Sequence, residues 1–62
     1  MTEEEFIEEF VMWIRTKSNL SKELANIEAE SWLEINDFEE VEEVYDCNVE
    51  AIVDEVLSYW NY

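Results

Sequence analysis

The chain has no glycine, no proline and no histidine, one cysteine, and no basic residue after Lys22. Without glycine or proline, every change of direction falls to residues such as Ser, Asn and Asp, whose side chains bond their own backbone and tolerate unusual dihedrals. Helices joined by short connections follow from that. The missing glycine also removes the calcium loop and the phosphate-cradling loop. The missing histidine removes the Glu-x-x-His pairs of di-iron bundles and, with one cysteine, any zinc ligand set. Cys47 has no histidine to activate it, and the carboxylates have no evident deep pocket. An enzyme, a metal and a cofactor are therefore all unexpected. Cys47 reads instead as a small, part-buried turn residue. No basic segment precedes an apolar run at the N-terminus, and no apolar stretch is long enough to span a bilayer, so the expected location is the cytoplasm.

What the chain has in excess is negative charge. Asp and Glu number 18 against 3 Lys and Arg, a formal net charge of -15 on 62 residues. Solubility asks a small domain for a charge of magnitude about 2–8, and the surplus costs stability through self-repulsion. A dense anionic surface suits a cationic one, so the expected partner is a basic protein surface. Direct binding to nucleic acid or to an anionic membrane is not expected. A halophilic surface fits less well: Asp37, Asp46 and Asp54 are the only aspartates, and the core residues are bulky and aromatic. Hydrophobic residues at 48% and aromatics at 15% are too many for a chain disordered by composition. Residues 1–62 read as one acidic helical domain, near the lower size limit for a single core.

Thr2 and Glu5 form a capping box ahead of a first helix. Glu3, Glu4 and Glu5 sit at its positive dipole end, with Arg15 and Lys17 at the negative end. Phe6, Ile7, Phe10, Val11, Trp13 and Ile14 make its apolar stripe. Ser21 caps a second helix running to about Ile35, with Leu20, Leu24, Ile27, Ser31 and Ile35 on the expected inward face and Ala25 and Trp32 beside it. Asp37 is placed to cap a short third helix that turns Phe38, Val41, Val44 and Tyr45 inward. Asn48 caps a fourth, with Val49, Ile52, Val53, Val56, Leu57 and Trp60 in helical rhythm. Strands are unexpected, because no stretch alternates cleanly and Glu suits sheets poorly. The expected fold class is all-α, a compact single-domain bundle of three to four short helices.

Residues 41–57 resemble a helix-turn-helix: an apolar-spaced helix, a Tyr45-Asp46-Cys47 turn, an Asn cap and a second helix. Here that second helix would present Glu50, Asp54 and Glu55 to phosphates, so DNA reading by this unit is electrostatically excluded. The reading is two helices joined tightly. Charge density points elsewhere. Duplex DNA carries one charge per about 1.7 Å, so the roughly 27 Å span expected of a chain this size matches DNA bearing about 16 charges.

In that respect the chain resembles, as a class, the small acidic inhibitor proteins of phages and mobile elements, the DNA mimics of anti-restriction and anti-CRISPR type. The resemblance implies inhibition of a nucleic-acid-binding protein by occupation of its site. Nine acids lie between Asp37 and Glu55 with no cation among them in sequence. Glu39, Glu40, Glu42, Glu43, Glu50, Asp54 and Glu55 are thus the expected contact surface. Glu5, Glu8 and Glu9 form a second patch around an apolar knob, Met12. The alternative is an adaptor or regulatory module docking through an aromatic-apolar patch, with Tyr59, Trp60 and Tyr62 crowding the C-terminus. Such a module would bind a partner or pair with itself as a homodimer.

Overall fold

A computed structural model describes residues 1–60 of the chain. It contains α1 (Glu3–Lys17), α2 (Lys22–Ile35), α3 (Glu39–Glu43) and α4 (Val49–Trp60), and no strand among the described residues. The fold is all-α, with a radius of gyration of 10.7 Å and axes of 28 × 24 × 19 Å.

The helix starts follow local chemistry. Thr2 Oγ1 accepts the Glu5 N–H at 3.1 Å while Glu5 Oε1 accepts the Thr2 N–H at 2.9 Å, closing the capping box. The Thr2 N–H, and after it the Thr2 hydroxyl, hold the Glu5 carboxyl below its ordinary pKa of 4.5. Ser21 caps α2 through the Leu24 N–H at 3.3 Å, and Asn48 caps α4 through the Ala51 N–H at 3.3 Å. Asp37 does not cap α3. Phe38 is the N-cap of that helix, with no side-chain bond, and the Asp37 carbonyl accepts the Glu40 N–H in a tight turn. With no glycine available, the turn into α4 forces Asp46 and Cys47 to φ of 54° and 60°, the left-handed region that side-chain-bearing residues resist.

α1 is the spine, and α2 and α4 both pack against it. Phe6, Phe10 and Ile14 are fully covered, with Val11 also buried. They meet Ala25 and Ala29 from α2, Val41 from α3, and Val49, Ile52 and Val53 from α4. Phe6 anchors an aromatic cluster, its ring centroid 5.2 Å from Trp32, 5.7 Å from Phe10 and 6.2 Å edge-on from Phe38.

The inward face of α2 differs from expectation. The small residues Ala25 and Ala29 are buried, with Trp32 and Leu33 packed beside them, whereas Leu24 is 51%, Ile27 53% and Ile35 83% exposed. Close approach to the aromatic stripe of α1 selects the alanines, and this rotates α2 by about one residue, roughly 100°, from the face its larger apolar residues suggest. Val44, expected inside, is also exposed, because the chain leaves α3 there; Trp60 at the end of α4 is 44% exposed.

Candidate protein-binding surface

The acids expected to form the contact surface divide into two sets. Glu39, Glu42 and Glu43 are exposed and Glu40 half-buried on α3, a helix of five residues with no basic residue in its last turn. Five residues cannot serve as the first helix of a DNA-reading helix-turn-helix, so the resemblance of residues 41–57 stops at the turn.

The α4 acids are partly engaged by the chain itself. Lys17, at the end of α1, places Nζ 2.8 Å from Glu50 Oε2 and 2.6 Å from Asp54 Oδ1, with Nζ also 5.7 Å from the Trp13 ring centroid. Glu50 and Asp54, one turn apart on α4, present both carboxylates on one side, and the α1–α4 packing delivers the ammonium between them. Asp54 and then Glu50 raise the lysine's pKa above its ordinary 10.5. The expectation that no cation sits among these acids is therefore corrected in space, although it holds along the sequence. Glu55 accepts the Tyr45 hydroxyl at 2.7 Å, and this bond pushes the phenol up to about 12.

In the second patch, Glu5 is committed to its cap, Glu8 is exposed and Glu9 half-buried. Met12 is 50% exposed, as its place on the helical wheel suggests. It shares a shallow depression with Glu8, Val11 and Leu20, but also with Arg15, so that face is less uniformly acidic than expected. Cys47 is half-buried, as expected. Among the described residues no group of three metal-ligating side chains converges, and no helix is long and apolar enough to cross a membrane.

A feature that periodicity along the chain does not show lies between α2 and α4. Phe6 meets Trp32, so the second half of α2 returns along the first half of α1; Lys17 meets Glu50 and Asp54, so α4 also starts at the far end of α1. α2 and α4 thus run side by side and scarcely touch each other. Between their C-terminal halves is a cleft of about 370 Å³ lined by Trp32, Ile35, Tyr45, Val56, Tyr59 and Trp60, with Glu28 and Glu55 at its edge. The rotation of α2 that buries Ala25 and Ala29 opens it, turning Ile35 out of the core and onto its wall. Tyr62 lies outside the described residues.

Comparison of the chain with protein-family models, with curated proteins and with solved structures finds no match.

Proposed function

We propose that this protein is a non-enzymatic cytoplasmic inhibitor that binds a basic protein surface and occupies the nucleic-acid site of its target as a DNA mimic. The observation that carries this reading is charge for size: -15 in an envelope 28 Å long. Duplex DNA of that length bears about 16 charges. The α3 carboxylates Glu39, Glu42 and Glu43, exposed and with no ion pair among the described residues, are the leading edge of contact. Glu50 and Asp54, held by Lys17, supply a rigid flank. Complementary fields set on-rate and specificity, while a few desolvated pairs hold the complex.

The test is retention on immobilised protein. A cell lysate passed over it at low salt should leave nucleic-acid-binding proteins behind, and a duplex oligonucleotide should elute them. Retention that neither salt nor duplex reverses would remove mimicry.

The second reading, an adaptor docking through apolar surface, is favoured by the exposed Leu24, Ile27, Ile35 and Tyr59. Self-pairing is its weaker form. Two bodies of charge -15 with centres about 25 Å apart repel by about 6 kcal/mol at physiological salt, and a homodimer must overcome that.

A further inference from the structure

We infer that the cleft between α2 and α4 seats one amphipathic helix of a partner protein, its apolar stripe on the aromatic floor and its Lys or Arg residues on the cleft edges. The inference rests on the reading that the partner is basic, and it adds where and in what form that partner docks. The shape comes first. α2 and α4 each pack on α1 without packing on each other, leaving a trough whose half-buried floor is Trp32, Tyr45 and Val56. Ile35 stands 83% and Tyr59 61% exposed on its walls. A trough between two side-by-side helices takes a third helix by ridges-into-grooves packing, and amphipathic helices dock this way with anchors at i, i+3, i+4 and i+7. The α2 wall from Glu28 to Asn36 is about 12 Å long, roughly two to three turns of an occupant.

Charge then selects the occupant. Glu28 and Glu55 stand at the edges. The trough also lies at the C-terminal ends of both α2 and α4, where helix dipoles place partial negative charge, and neither helix has a basic residue in its last turn. Four sources of negative potential thus border one apolar surface. A second copy of this chain answers them poorly, because its only basic side chains, Arg15, Lys17 and Lys22, lie at the far end of α1 and at the start of α2, and Lys17 is already bound. A helix with Leu or Trp on one side and Lys or Arg flanking it answers all four.

Two labelled model peptides of equal positive charge supply the probe, one with a Leu stripe at helical spacing and one with that stripe replaced by Gln. At 150 mM salt the Leu peptide should bind the full-length protein at least tenfold more tightly than the Gln peptide. The double variant Ile35→Ser/Tyr59→Ser should abolish that preference while leaving Gln-peptide binding unchanged. Both residues are exposed, so helicity by circular dichroism should match wild type. Amide shifts on Leu-peptide binding should cluster in residues 28–36 and 55–60. Equal binding of the two peptides, or a double variant that keeps the preference, overturns the cleft and leaves the acidic-surface reading standing. Failure of either peptide to bind even at low salt removes the acidic-surface reading itself. A dimer in sedimentation of the protein alone, lost in the double variant, replaces the basic helix by a second copy as occupant.

Discussion

Raising the salt concentration from about 10 to 150 mM should stabilise this protein by several kcal/mol. The axes of 28 × 24 × 19 Å correspond, with side chains, to a sphere of about 14 Å radius. At 10 mM the Debye length is about 30 Å, longer than the molecule, so every carboxylate acts on every other; at 150 mM it is about 8 Å and only neighbours interact. Coulomb's law in water for a charge of -15 on that sphere gives a self-energy of about 23 kcal/mol at the lower salt and about 12 at the higher. The unfolded chain, with a radius of gyration of about 24 Å, spreads the same charge and carries about 7 and about 3 kcal/mol. Salt therefore favours the folded state by about 6–7 kcal/mol as an upper bound, because ion association and proton uptake relieve part of the repulsion first. A net gain of about 2 kcal/mol already raises Tm by about 10 °C in a domain this small. A core of this size supplies only about 3–5 kcal/mol, so a measurable unfolded fraction is expected at 10 mM. Thermal melts by circular dichroism in sodium and potassium chloride check this, and the two salts should agree because screening depends on ionic strength. A Tm that is flat or falls with added chloride would refute charge repulsion as the term that salt relieves.

The rotation of α2 makes a paired prediction: Ala29→Leu overpacks the seam with α1 and costs about 1–3 kcal/mol, while Leu24→Ala stays within about 0.5 kcal/mol, both read by urea melts. Asp46→Gly relieves a left-handed residue and removes one negative charge, raising stability by about 0.5–1 kcal/mol after the glycine's entropy in the unfolded chain is counted. Lys17→Met should lower Tm at neutral pH. Because Glu50 and Asp54 raise the folded-state pKa of Lys17, its contribution is complete below the ordinary lysine value of 10.5 and fades as pH climbs through the raised one, so wild type and variant should converge in alkaline melts. Ultraviolet titration should show one phenol ionising near 12, absent in Tyr45→Phe; the bond to Glu55 likewise stabilises the fold below pH 10 and is lost as the phenol ionises.

The parts of the fold that depend on neighbours in sequence were legible without coordinates. The capping box of Thr2 and Glu5, the caps at Ser21 and Asn48, and the apolar stripe of α1 are set within four residues of themselves, and each stands where periodicity and cap chemistry place it. α2 was harder. Its large apolar residues and its small ones lie on different faces, and only the aromatic bulk of Phe6 and Phe10 decides that the alanines face inward. The same step exposes Ile35 and opens the cleft, which no spacing along the chain encodes. Lys17 belongs to the same class: it lies far from Glu50 and Asp54 in sequence, and their meeting depends on how α1 and α4 pack. The α3 acids were legible because a five-residue helix carrying four Glu around Val41 leaves most of them exposed.

Whether this surface stands in for DNA is decided most directly by fluorescence anisotropy of a labelled duplex bound to a purified protein that the immobilised chain retains. Added wild-type protein should release the duplex stoichiometrically at physiological salt. The Glu39→Lys/Glu42→Lys/Glu43→Lys variant, which leaves the Lys17 pairs intact, should need at least a hundredfold more. Formation of a ternary complex, with the duplex still bound at saturating wild-type protein, would contradict the account.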